Sequence, residues 1–146
     1  MKIFVDADGC PVVDLAIKIA KDYGLEIIIV KNYAVYIESD YAEIVTVDIS
    51  SDSADYYIVN RIAKGDILIS QDHGLAAMCL SKKAICINQN GFLINNENID
   101  GMLNRRHMNS RLRREQGIYS KFKKRNSQAD EKFENTLRRI IELNII

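Results

Sequence analysis

The alternation of short, β-branched apolar runs with segments of helical period is the feature that most narrows what this chain can become. Lys2 to Asp6 (KIFVD), Leu25 to Val30 (LEIIIV), Ile44 to Val47 (IVTV), Ile67 to Ile69 (ILI) and Ala84 to Ile87 (AICI) have the length and content of buried strands. After the first run, Pro11 sits where a helix can start, and Val13, Ala16, Ile17 and Ala20 recur at helical spacing until Tyr23-Gly24 stops them. Asn32 to Tyr41 is irregular. Asp52 to Lys64 reads as a second helix, with Ala54, Ile58, Ile62 and Ala63 on one side and Gly65 as its stop, and Leu75 to Leu80 reads as a short third helix. Strands joined through helices run parallel, because a parallel pair needs a crossover, and the helices then cover both faces of the sheet. The expectation is an α/β fold with a doubly wound, mainly parallel five-stranded sheet.

From Asn95 the pattern changes. Ile99, Met102, Leu103 and, beyond a basic stretch, Leu112 predict a helix that leaves the core and becomes polar; Gly117 to Asn126 reads as an exposed basic loop. A last helix starts at Ser127, whose S-Q-A-D spacing to Asp130 fits a capping box, and it offers Phe133, Leu137, Ile140 and Ile141 to the core. This is one domain over residues 1–146, an α/β core (1–94) with a basic helical extension (95–146) packed on it. No repeat or low-complexity tract interrupts it.

With 146 residues, 47% of them hydrophobic and 27% charged, the chain can bury a single globular core. One proline and seven glycines exclude collagen-like and Pro/Gly-rich classes. No apolar run approaches the ~20 residues needed to span a bilayer, and Asp6 and Asp8 break the first apolar stretch where a signal peptide would continue. A cytoplasmic location without membrane association is expected, and the oligomeric state is left open. Cys10, Cys79 and Cys86 are odd in number and lack C-x-x-C spacing, so they read as reduced, structural thiols.

The 20 basic and 20 acidic residues balance, yet they are segregated. Residues 1–102 hold 8 Lys and Arg against 15 Asp and Glu, whereas residues 103–146 hold 12 against 5. Arg105, Arg106, Arg111, Arg113, Arg114, Lys121, Lys123, Lys124 and Arg125 carry most of the positive excess, opposed only by Glu115. Such a run serves equally as a solvated helix face or as the polyanion-binding part of an acidic domain.

Open parallel sheets bind ligands beyond the carboxyl ends of their strands, near the point where strand order reverses. Acids recur there: Asp6 ends the first strand with Asp8 two residues on, Asp72 follows the fourth, and Asp52 and Asp55 open the helix after the third. In an order of 3-2-1-4-5, Asp6 and Asp72 lie side by side. Packed carboxylates raise one another's pKa unless a cation neutralises them, and an all-oxygen set favours Mg²⁺ or Mn²⁺ over zinc. Such a site can activate water and stabilise the charge of a phosphodiester under in-line attack. Each acid also has a structural reading. Asp6 and Asp8 can shape the turn before Gly9, Asp52 can cap a helix with Asp55 in its first turn, and Asp72 can cap the helix that follows it. His73 and His107 receive no role, and Cys10 reads as a packed thiol.

D-A-D-G-C-P-V at residues 6–12, S-D-S-A-D-Y-Y-I at 51–58 and G-D-I-L-I-S-Q-D-H-G-L-A at 65–76 resemble the YaiI/YqxD family of uncharacterised bacterial proteins. N-Q-N-G at 88–91, N-E-N-I-D at 96–100 and L-N-R-R-H at 103–107 extend the resemblance over nearly the whole chain. That family is similar to the PIN-like nucleases, whose acids at the strand ends hold divalent metal. By this resemblance Asp6, Asp55 and Asp72 are the metal ligands, Mg²⁺ or Mn²⁺ the cofactor, and Asp8 and Asp52 supporting acids. Members commonly carry a glycine- and proline-containing basic loop before the last helix; here Gln116 to Arg125 keeps the charge with different turn chemistry. Tyr119 and Phe122 interleave with its cations and can stack on bases or dock the loop on the core.

Three functions follow. The leading one is a metal-dependent nuclease acting on RNA or single-stranded nucleic acid, with Asp6, Asp8, Asp55 and Asp72 as catalytic acids. The second is a phosphohydrolase of the haloacid-dehalogenase kind, with Asp6 as nucleophile and Asp8 as general acid. Against it, Cys10 stands where that motif has threonine, and Gly65-Asp66 precedes a strand instead of following one. The third is a non-catalytic nucleic-acid-binding module, whose binding would weaken with salt and with neutralisation of Lys123, Lys124 and Arg125.

Overall fold

The computed structural model describes residues 1–50, 52–105 and 125–145. Its strands are β1 (Lys2–Asp6), β2 (Glu26–Asn32), β3 (Glu43–Val47), β4 (Ile67–Ile69), β5 (Ile85–Ile87) and β6 (Leu93–Ile94). Its helices are α1 (Val13–Asp22), α2 (Ser53–Arg61), α3 (His73–Ser81), α4 (99–105) and α5 (Ser127–Asn144). The strands form one sheet in the order β3-β2-β1-β4-β5-β6, parallel throughout except for the β5–β6 pair. The doubly wound architecture and the 3-2-1-4-5 order are as the sequence implies. The sheet has a sixth strand beyond the five expected, a two-residue antiparallel edge that returns on β5 through a turn at 88–91.

Because successive strand residues point to opposite faces, the apolar runs divide into two cores. Ile3, Val5, Ile27, Ile29, Ile67, Ile69 and Ile87 face α1 and α5, where Ala16, Ile19, Phe133, Leu137 and Ile141 close the layer. Phe4, Ile28, Val30, Leu68, Cys86 and Ile94 face α2, α3 and α4, meeting Ile58, Leu75, Cys79, Ile99 and Met102. Ile3, Ile29, Ile69 and Ile87 are wholly inaccessible, and full burial of such a side chain is worth ~1.5–3 kcal/mol. The region after Asn95 therefore covers the sheet on both faces, α4 on one and α5 on the other.

Three boundaries differ from the sequence reading. α2 ends at Arg61, because Ile62 turns extended (ψ 140°) while still buried, and the chain then bends through Gly65 at φ +85° to enter β4. The cap of α5 is Asn126, whose side chain accepts from the Ala129 amide; Ser127 is already helical, and Asp130 pairs with Arg125 at 2.7 Å. α3 spans His73–Ser81, longer at both ends than Leu75 to Leu80. Gly91 is required where the β5–β6 turn meets α5: its φ is +78°, and a Cβ would lie 2.6 Å from the Lys132 carbonyl oxygen.

Arg125 ties these parts together. Its guanidinium donates to Asp130 Oδ1 (2.7 Å), Asn90 Oδ1 (2.8 Å) and the Gln89 carbonyl (2.7 Å). Among the described residues, no helix is long and apolar enough to cross a membrane. The three cysteines are free thiols, and burial pushes Cys79 and Cys86 up to about 12.

Candidate active site

The order of strands turns between β1 and β4, and a cavity of about 330 Å³ opens at their carboxyl ends. Asp6 and Asp8 reach it from the end of β1, Asp48 from β3, Asp55 from the first turn of α2, and Asp72 from the start of α3. Asp6 and Asp72, 66 positions apart in sequence, thus share one cavity.

The local chemistry explains how they are held. β1 pairs with β4 through Val5↔Ile69, so the next residues, Asp6 and Ser70, stand side by side. The buried Ser70 hydroxyl donates to Asp6 Oδ2 at 3.0 Å and accepts the Asp72 backbone N–H at 2.9 Å. Asp72 caps α3, its Oδ1 accepting from the amides of Gly74 (2.9 Å) and Leu75 (3.2 Å). One side chain thus caps α3 and lines the cavity. After Asp6, the amide of Ala7 continues the ladder to Val30, and Gly9 at φ +67° turns the chain.

Asp52 stands at the N-cap position of α2 without a side-chain cap hydrogen bond, and it lies outside the cavity lining. Its effect is electrostatic. Asp55 is pushed up to about 6, first by burial and then by the charges of Asp72, Asp6 and Asp52. Asp6 is raised by burial and by Asp72 and Asp8, against the lowering effect of the Ser70 hydrogen bond. These carboxylates feel one another, and among the described residues Lys31 is the Lys or Arg in the lining. Among the described residues, no three His, Cys, Asp or Glu groups stand close enough to hold one ion as they are placed.

Sequence reasoning missed Asp48, Lys31, Asn32, Gln71 and Ser70. Asp48 follows the apolar run IVTV just as Asp6 ends KIFV, so the rule that found one applies to the other. Ser70 had no such signal, since its role depends on the β1–β4 register. His73, given no role from sequence, lines the cavity, and its Nδ1 is buried without a hydrogen-bond partner among the described residues. Of the basic series, Arg105 is exposed at the end of the described part of α4, and Arg125 is engaged as above. Arg106, Arg111, Arg113, Arg114, Lys121, Lys123 and Lys124 lie outside the described residues, as do His107, Leu112, Tyr119 and Phe122. Asp66 sits before β4, at the opposite end of the sheet from Asp6.

An open, mainly parallel sheet with carboxylates gathered where its strand order turns defines an α/β protein with an acidic switch-point site. The chain belongs to the YaiI/YqxD family: residues 4–143 match the family described as "Uncharacterized BCR, YaiI/YqxD family". It is similar to a UPF0178 protein of Alkaliphilus oremlandii, 48% identical over 146 residues that span 100% of this chain and 94% of the relative. A UPF0178 protein of Natranaerobius thermophilus is 46% identical over 141 residues, 97% of this chain and 96% of the relative. Among solved structures, Rae1 (YacP) from Bacillus subtilis aligns with a TM-score of 0.44 at 14% identity, covering 98% of this chain and 99% of that one. Membership of the family rests on the sequence matches and not on that structural likeness.

Proposed function

We propose that the cavity is the active site of a divalent-metal-dependent nuclease that hydrolyses phosphodiester bonds of RNA or single-stranded nucleic acid in the cytoplasm. The observation that carries this reading is the meeting of carboxylates from separate elements in one cavity, where their charges and burial push Asp55 up to about 6. Burial and like charge raise such acids, and a hard divalent cation favours their charged form.

The donor set fits Mg²⁺ or Mn²⁺ in its chemistry, with Asp6, Asp55 and Asp72 as the residues that would hold it and Asp8 and Asp48 beside them. When bound, such an ion lowers the pKa of water and stabilises charge on a phosphodiester. The chain's own groups have distinct tasks. Ser70 fixes Asp6, and the amides of Gly74 and Leu75 fix Asp72, so two carboxylates are oriented before substrate arrives. Asp8, beside the residues that would hold the ion, is the carboxylate left to accept a proton from the attacking water. Lys31 opposes the charge of the entering phosphate. The basic series Arg105 to Lys124 supplies attraction for the polyanion that the acidic cavity alone would repel.

The test is hydrolysis of mixed RNA and DNA substrates with Mn²⁺ or Mg²⁺ by wild type, Asp6→Asn and Asp72→Asn. Asparagine caps a helix as well as aspartate, so Asp72→Asn removes charge while leaving α3 capped. The expected loss is on the order of 10²–10⁴-fold in each variant. Equal rates in all three proteins overturn the proposal.

The absence of a closely gathered triad among the described residues favours one second reading, a non-catalytic nucleic-acid-binding protein. It predicts salt-sensitive binding, weakened by Lys123→Ala and Lys124→Ala, with no strand cleavage in any divalent cation.

A further inference from the structure

A second depression, about 470 Å³ and open, lies between the edge strand β3 and α2, and it shares Val47 and Asp48 with the acidic cavity. Ser50 lines the cavity, Ser53 lines the depression, and their hydroxyls are hydrogen-bonded to each other. The two hollows are therefore neighbours across one low ridge.

Its walls follow from the period of α2. Ser53, Tyr56, Tyr57 and Asn60 fall at i, i+3, i+4 and i+7, one stripe of the helix, while Asp55 on another side enters the acidic cavity. Thr46 of β3 completes the opposite wall. The Arg61 guanidinium lies 3.7 Å from the centroid of the Tyr57 ring, which holds that ring in place. Tyr56 is 66% exposed, so its ring is available for stacking. An exposed tyrosine alone means little. Here an exposed aromatic face, a braced second ring and the amide of Asn60 stand directly beside a cavity suited to a phosphodiester.

We propose that this depression is a nucleobase subsite, in which an unpaired base next to the phosphodiester in the acidic cavity stacks on Tyr56, with Asn60 and Thr46 within the same walls to hydrogen-bond its edge. The inference deepens the nuclease reading and rests on it for the position of the phosphodiester. It favours a single-stranded substrate, since a base stacked in a duplex would first have to be flipped out to reach the tyrosine. Stacking tolerates any base, whereas Asn60 adds preference.

The probe is a short single-stranded oligonucleotide carrying 2-aminopurine, titrated against the full chain in Mg²⁺ and in EDTA, with fluorescence quenching as the readout. A matched duplex and an oligonucleotide with one abasic position serve as controls. Wild type and Tyr56→Phe, which keeps the ring, quench and bind alike; Tyr56→Ala binds about tenfold more weakly, the effect of losing one base–aromatic stack. The abasic strand and the duplex are insensitive to Tyr56→Ala. Equal binding by Tyr56→Ala and wild type, or no quenching by wild type in either buffer, overturns the subsite. The hydrolysis assay separates this outcome from the nuclease reading. Cleavage that is lost in Asp6→Asn but unchanged in Tyr56→Ala overturns the subsite alone. Base-dependent quenching without any cleavage upholds the subsite and overturns the nuclease.

Discussion

The two ends of the sheet treat carboxylates in opposite ways. At the amino end, Asp66 is 8% exposed, and both oxygens are occupied: Oδ1 accepts the Lys2 amide at 3.0 Å and Oδ2 the Ala63 amide at 2.9 Å. It staples the start of β1 to the turn before β4. At the carboxyl end, Asp6 and Asp55 are less deeply placed, yet both are raised by burial and by neighbouring charge. Burial of an acid is thus no mark of function. What singles out the acids of the cavity is burial together with neighbouring like charge.

The largest effect that would sharpen this contrast comes from the structural acid. Asp66→Ala leaves two backbone donors without their acceptor and costs about 2–3 kcal/mol, a fall in Tm of roughly 5–10 °C by thermal denaturation. Hydrolysis measured well below the transition stays at the wild-type level. A stable Asp66→Ala protein would break the comparison at its amino end.

Ser70→Ala lies between the two ends in kind. It removes the donor to Asp6 and the acceptor for the Asp72 amide, so the expected loss is about 1–2 kcal/mol together with a roughly tenfold drop in hydrolysis. Loss of stability without loss of rate would reduce Ser70 to a fold residue.

The smallest effect carries the opposite sign. Asp55 has an ordinary value of 3.8 and is pushed up to about 6 in the fold, so between these values the folded chain holds a proton that the unfolded chain has released. Stability from this group therefore falls as pH rises through that window. Asp55→Asn flattens the decline and, without added divalent cation at pH 7, raises Tm by roughly 1 °C. Mg²⁺ or Mn²⁺ stabilises wild type more at pH 7 than at pH 5 and leaves Asp55→Asn unmoved. A variant less stable than wild type at pH 7 would show that its charge is already compensated.

Much of this was legible in the sequence, for definable reasons. The apolar runs around Ile3, Ile28 and Leu68 announce buried parallel strands because they are apolar on both faces, and the acids that follow the first and the last of these runs lie where the cavity opens. β6 escaped because two residues, Leu93 and Ile94, carry no period. The end of α2 escaped because Ile62 keeps the helical spacing and stays buried after the backbone has become extended. The capping box at Ser127 failed to local competition: Asn126 takes the cap, and Asp130 turns to Arg125. In the site, Asp6 and Asp72 were found by their position after apolar runs, and Asp48 was missed although the same rule reaches it. Ser70 depended on which strands become neighbours, and Lys31 on how far β2 runs past Val30.

The Ser70 hydroxyl also makes the two oxygens of Asp6 unequal. An ionised carboxylate can only accept, so while Asp6 is charged the hydrogen between the two groups is the serine's. Oδ2 is held by Ser70, which makes this carboxyl asymmetric before anything enters the cavity.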